Sequence, residues 1–322
     1  MQTQEIPRPA SAAAVALLPN EPRLHSRFLG VLLAIWRAMT TSPKVAVGSG
    51  IVGFFILVGL FGPLFESINP NATSPLFINP PSLAHWLGTT VVGEDIFSQL
   101  IYGTRTSVFW GLGTGLIVTL LSVLVGLVSG YFGGWIDDAL TLLTNVSLVL
   151  PSLPLAIVLA AYFPRGPLTI AMVIVFTNWA WQARVLRSQT LSMRNREFVT
   201  AARVGGERNW RIIFFEIFPN EIGLVVAGFV STTIYVILTW AVLEFLGLGD
   251  GTIPSWGSML YWAQQAGALG GGLWWWFVPP GACIAILGAG LSLINFGIDE
   301  IADPRLRRER PLKVQKSQKA VA

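Results

Sequence analysis

The chain is poor in the residues from which most catalytic sites are built. Its 322 residues include one cysteine, Cys283, and two histidines, His25 and His85. A single cysteine excludes an internal disulfide framework, and these three residues leave almost no material for a His/Cys metal site. Charged residues make up 12% of the chain, about half the share of an average soluble protein. The lysines are Lys44, Lys313, Lys316 and Lys319, and none follows a glycine. A phosphate-cradling P-loop needs that Gly-Lys step, so this polypeptide does not bind ATP in that way. It also lacks Gly-x-Ser-x-Gly and His-Glu-x-x-His. Its long apolar runs hold no pair of carboxylates, where a membrane enzyme or proton-coupled carrier would place ionisable groups. Together these absences describe a passive body moved by something else.

What the chain has instead is apolar length. Hydrophobic residues reach 53% and the mean hydropathy is +0.62, values of a polytopic membrane protein. Six stretches approach the roughly 20 apolar residues that a bilayer requires: 45–65, 106–132, 139–163, 166–183, 222–243 and 273–298. Pro151 and Pro154 predict a kink in the third. Glycines such as Gly126 and Gly130 in the second suit close helix packing in lipid. Residues 251–272 are uncharged but broken by Pro254 and by Gly267, Gly270, Gly271 and Gly272. They read as an outer loop carrying a short interfacial helix at 258–266, with Trp256, Tyr261 and Trp262 at the membrane boundary.

The cations are segregated, and that sets the orientation. Segment 66–104 holds no Lys or Arg, and neither does 251–272. Arg105 and Arg165 are the two basic residues on the outer side; the other 19 of 21 crowd the N-terminal arm, a central island and the C-terminal tail. The positive-inside rule then puts both termini and the island in the cytoplasm, which an even number of spans satisfies. Residues 1–26 are expected to be a disordered arm, without a signal-peptide pattern. Residues 27–44 suit an interfacial helix or a cytoplasmic extension of the first span. Residues 66–105 form an extracytoplasmic segment, and 304–322 a basic tail.

The central island, 190–220, is long and orderly for a loop between spans. Thr200, Ala201 and Ala202 lie on a short helix whose alanines permit close packing. Gly206 stops that helix and turns the chain. Arg203, Arg208 and Arg211 supply charge, and Trp210 leads an apolar surface. Pro219 suits the start of the following helix. A second short helix is expected over 203–215. Such a surface suits a docking partner; the alternative is an amphipathic loop lying on lipid.

The run Glu197-Phe198-Val199-Thr200-Ala201-Ala202-Arg203-Val204-Gly205-Gly206, closing with Pro219-Asn220, resembles the EAA loop of bacterial ABC importer permeases. In that family the loop docks into the ATPase subunit. Further stretches resemble the C-type permeases of dipeptide and oligopeptide importers: Leu87-Gly88-Thr89 with Gly93-Glu94-Asp95, Gly130-Tyr131-Phe132-Gly133-Gly134, Phe245-Leu246-Gly247 with Pro254-Ser255-Trp256-Gly257, and Asp303-Pro304-Arg305. Thr200 stands where the glutamate naming the loop would be, as is usual in peptide-type relatives.

The resemblance implies an all-α fold of six transmembrane helices, the type I ABC importer permease fold, with a core domain over 106–303. It implies a non-enzymatic transport subunit that itself binds no cofactor. Its partners would be a homologous second permease, two ATPase subunits carrying ATP and Mg, and an extracytoplasmic solute-binding protein delivering peptides. The coupling residues would be Thr200, Ala201, Ala202, Arg203, Gly206, Arg208, Trp210, Arg211 and Pro219. Glu244 and Trp256 are candidates for the translocation path, Glu244 being otherwise an interfacial group that reaches back to water. The same branch also handles nickel, oligosaccharides and glutathione, and an ATPase-independent channel or scaffold is the reading from another class.

Overall fold

The computed structural model describes residues 42–65 and 69–302. The arm at 1–26, residues 27–41 of the expected interfacial helix and the basic tail lie outside the described residues. Among the described residues there is no strand, only an isolated bridge between Thr89 and Asp95. The rest is helix and connecting turn.

Helix α1 spans Pro43–Phe65 and α2 spans Ile96–Phe132. With 37 residues, α2 is about 55 Å long, well beyond the roughly 30 Å of hydrocarbon it has to cross. It begins upstream of the expected 106 because Asp95 caps it. The Asp95 side chain accepts from the Ser98 amide at 2.7 Å and so satisfies one of the free donors of the first turn. Residues 96–105, read from sequence as part of the outer segment, are therefore the first turns of α2, with Arg105 inside the helix. The same Asp95 carboxylate meets His85 Nδ1 at 2.7 Å.

The expected third span is two helices, α3 at Gly134–Val149 and α4 at Ser152–Tyr162, which meet at 88°. This is a break rather than a kink. Leu150 precedes a proline and is extended, at φ −72° and ψ 130°, as the proline ring demands. Pro151 then has no N–H to continue the ladder. The expected fourth span starts as α5, Pro167–Asn178, passes through Trp179 and continues as α6, Ala180–Met193. After the island come α9, Phe218–Phe245, the short α10, Trp256–Gln265, and α11, Trp274–Ala302. Among the described residues four helices are long and apolar enough to cross a membrane by themselves, or five when the bent pair is counted as one span. A count of six requires α5 and α6 to cross together.

Helix α2 is the central post, against which α6, α9 and α1 all pack. Its contact with α6 depends on two glycines. A Cβ at Gly126 would stand 2.7 Å from Leu186 Cβ and 2.8 Å from the Ala183 carbonyl oxygen, and one at Gly130 would stand 2.6 Å from Thr190 Cβ. Only glycine lets the two backbones come this close, and in lipid such close packing replaces the hydrophobic effect as the driving force. Ser122 of α2 donates to the Trp179 carbonyl at 2.7 Å, which occupies a backbone acceptor where α5 passes into α6. Arg187 of α6 clasps Asp137 of α3 through two bonds, 2.6 and 2.8 Å. The bent α3–α4 pair is thereby tied to α6, which packs on the post.

Candidate functional site

The basic island is folded, and it is seated on the ends of α2 and α6. Helix α7 covers Glu197–Val204. It ends in a Schellman motif: the Glu207 amide donates to the Ala202 carbonyl and the Gly206 amide to the Arg203 carbonyl, both at 3.1 Å. Gly206 has φ +79°, the left-handed conformation that the motif requires and that a side chain would strain by about 1–2 kcal/mol. A Cβ there would meet no atom within 4 Å, so the turn projects freely from the body.

The second half of the island departs from expectation. No separate helix covers 203–215. Helix α8, Asn209–Arg211, runs through a π-helical turn at Ile212–Ile217 directly into α9. Pro219 explains the widened turn. Its ring would collide with the carbonyl four residues earlier and it offers no N–H; a π turn relaxes that ladder, and the Phe218 amide bonds to the Ile213 carbonyl instead. The loop is thus a rigid extension of a membrane-crossing helix.

The island has two faces. Val199, Ile212, Ile213 and Ile217 are buried against Val123, Leu127, Tyr131 and Leu186 of the body. The Tyr131 hydroxyl donates to Asn209 Oδ1 at 3.0 Å, and the Arg203 guanidinium lies over the Tyr131 ring, 5.7 Å from its centre. Behind the π turn, Thr190 donates to the buried Glu221 carboxylate at 2.9 Å, linking α6 to α9. The opposite face is open. Thr200, Ala201, Arg203, Gly206, Arg208, Trp210 and Arg211 are all exposed, whereas Ala202 and Pro219 are half-buried. Trp210 packs edge-on against Phe215, with ring centres 5.8 Å apart, and Arg211 pairs with Glu207 one turn back. Val204 is 84% exposed and Trp210 54%. Apolar groups are thus held in the open between arginines. Sequence reading quoted Val204 and Tyr131 within longer runs without giving either a role, and passed over Asn209. Val204 sits directly before the helix-ending Gly205-Gly206 pair, and that position was the available signal.

Residues 122–308 match the sequence profile described as "Binding-protein-dependent transport system inner membrane component". The chain belongs to that family. The oligopeptide transport system permease protein OppC of Bacillus subtilis is 30% identical over 308 residues, covering 95% of this chain and 100% of that protein. The dipeptide transport system permease protein DppC of Alkalihalophilus pseudofirmus is 32% identical over 295 residues, 90% of this chain and 95% of its own. The glutathione transport system permease protein GsiD of Pectobacterium atrosepticum is 30% identical over 228 residues, 70% and 75% of the two chains.

In this inner membrane component, the two path candidates sit at a buried joint. Glu244, near the end of α9, is 5% exposed and Trp256, at the start of α10, is 1% exposed. The expectation that Glu244 reaches back to water is overturned. Its carboxylate accepts the Ser255 hydroxyl at 2.5 Å, and Ser255 closes a capping box with Ser258 at the start of α10. The carboxylate is enclosed because α10 folds back over the end of α9, a tertiary contact that span hydropathy does not report. The Trp256 amide N–H donates to Ser107 Oγ at 3.0 Å, and its indole N–H donates to Thr104 Oγ1 at 3.2 Å. Together these bonds pin α10 to α2.

Proposed function

We propose that this permease is one of two non-identical membrane subunits of an ATP-driven importer for di- or oligopeptides. The observation that carries the reading is the island: a rigid ridge with Val204 and Trp210 exposed between arginines, continuous with a membrane-crossing helix. Family membership supports a transport role, and the peptide permeases among the relatives support the substrate class.

In this reading both termini and the island face the cytoplasm and six helices cross the membrane. A solute-binding protein delivers peptide to the opposite end. Two ATPase subunits, which hold ATP and Mg, grip the ridges of the two permeases. When they close on ATP they move Gly206 and its flanking helices. The π turn and α9 transmit that motion without an intervening flexible loop, so the packing of α9 against α2 and α6 is biased between two arrangements. The permease subunit contributes no ATPase site of its own.

The test is reconstitution of the tagged chain with its copurifying partners in vesicles. Tri-alanine uptake that needs ATP and a loaded binding protein is the expected result. ATP-independent leak would favour a channel, and uptake of glutathione but not of tri-alanine would move the substrate assignment.

A further inference from the structure

A cavity of about 320 Å³ opens where the two helix breaks face the middle of α9. It is lined by Ser147 and Ser152 at the α3–α4 break, Asn178 and Gln182 around the α5–α6 passage, and Thr232 and Tyr235 of α9. Counted along the helices from their ends at Tyr162, Pro167 and Phe245, Ser152, Asn178, Thr232 and Tyr235 lie about 15–20 Å in, and Gln182 about 22 Å. That is close to the middle of a hydrocarbon core of about 30 Å.

The lining is unusual for such a depth. Among Leu148, Leu150, Ala180 and Trp181 it sets hydroxyls, Ser231 included, and two carboxamides, and it carries no charge. Two bonds already cross it, Ser152 Oγ to Tyr235 OH at 2.9 Å and the Thr232 hydroxyl to Gln182 Oε1 at 3.0 Å. Gln182 is 6% exposed, yet its amide nitrogen has no partner. Gly228 leaves room for that amide, and a Cβ there would collide with it. Pro151 offers no N–H, so the Ser147 carbonyl lacks its helical donor. Unmatched backbone and buried amides are tolerated at membrane depth only against protein or beside a water-filled cavity, and an unpaired buried donor costs about 1–3 kcal/mol.

We propose that this cavity is a contact point of the translocation path that recognises the uncharged peptide backbone of the solute. The inference rests on the peptide-importer reading above. Gln182 lines the cavity with a carboxamide whose oxygen accepts from Thr232 and whose nitrogen is packed against Gly228, and the serine and threonine hydroxyls both give and accept, as successive amides require. Without charges, the site reads neither the side chains nor the termini of the solute, which suits passage of peptides of mixed sequence.

The experiment uses the complete complex with Cys283→Ser and single cysteines at Ser147, Ser231 or, as a control on the apolar surface of α2, Leu120. Stimulation of ATP hydrolysis by tri-alanine with the binding protein is measured first. A small hydrophilic thiol reagent should then modify positions 147 and 231 and leave 120 alone. Tri-alanine trapped in the arrested complex should slow that modification about tenfold, mannitol should not, and Gln182→Leu should remove most of the protection. Stimulation with no reaction at 147 and 231, or with reaction that tri-alanine does not slow, overturns the cavity while leaving the importer standing. Equal protection by mannitol overturns the amide assignment. Absence of stimulation overturns the peptide reading, and the amide assignment with it.

Discussion

The Tyr131 hydroxyl, near the end of α2, donates to the side-chain oxygen of Asn209 at the start of α8, 3.0 Å away. This bond joins the central post directly to the helix that follows the Gly206 turn. A double-mutant cycle of Tyr131→Phe and Asn209→Ala should give a coupling of about 0.5–1.5 kcal/mol, the net worth of one hydrogen bond. The readout is thermal unfolding of the detergent-solubilised chain. Strictly additive effects would show that the island is not held to α2 at this point.

The Asp137–Arg187 clasp is the second fixed point. Its two bonds of 2.6 and 2.8 Å have the fork geometry that lysine does not reproduce. Arg187→Lys should therefore destabilise the chain nearly as much as Arg187→Ala, by about 1.5 kcal/mol. The lower end of the charged-bond range applies because the Arg187 side chain keeps 29% of its surface accessible. The unfolding midpoint is the measurement, and full retention by lysine would argue for a simple point-charge contact.

Much of this architecture is legible in the residues. Pro151 marks a bend, though not a full break, Gly126 and Gly130 mark a close approach, and Gly206 marks the turn of the island because only glycine takes its φ readily. What is not legible depends on contacts made at a distance. Hydropathy shows that a proline interrupts a span, but the 88° angle comes from the packing of α3 and α4 on different neighbours. The early start of α2 is a local cap by Asp95, overlooked because the apolar run begins later. Glu244 lies beside apolar residues in sequence, and its burial depends on α10 folding back over it. The π turn is foreshadowed by Pro219, although a proline near a helix start is more often read as the start itself.

Glu244 gives a prediction that separates support from transport. With its carboxylate on the Ser255 hydroxyl, Glu244→Ala should leave that hydroxyl only Ser258 Oγ at 3.1 Å and cost about 1 kcal/mol. Glu244→Gln should cost less, since an amide oxygen still accepts. Uptake of neutral and of basic peptides should keep the same ratio in the Gln variant. Selective loss of basic peptides would return this residue to the path.

Orientation is tested by labelling from outside intact cells in a Cys283→Ser background. Cysteines at Asn71 and Leu269, both exposed at the end of α2 away from the island, should react with a membrane-impermeant thiol reagent, and one at Ser192 should not. Leu269 is chosen over its neighbour Ala268, which is buried. Reaction at Ser192 would invert the proposed topology.

The central claim is that the island drives the pathway by gripping an ATPase, and Val204 tests it most directly. The side chain is 84% exposed and belongs to no core cluster, so Val204→Asp should leave insertion and unfolding temperature unchanged. Recovery of the ATPase with the tagged permease should fall about tenfold, equivalent to about 1.4 kcal/mol of docking, and binding-protein-dependent uptake should fall with it. Normal ATPase recovery and normal uptake in Val204→Asp would contradict the account and leave the island as a loop resting on lipid.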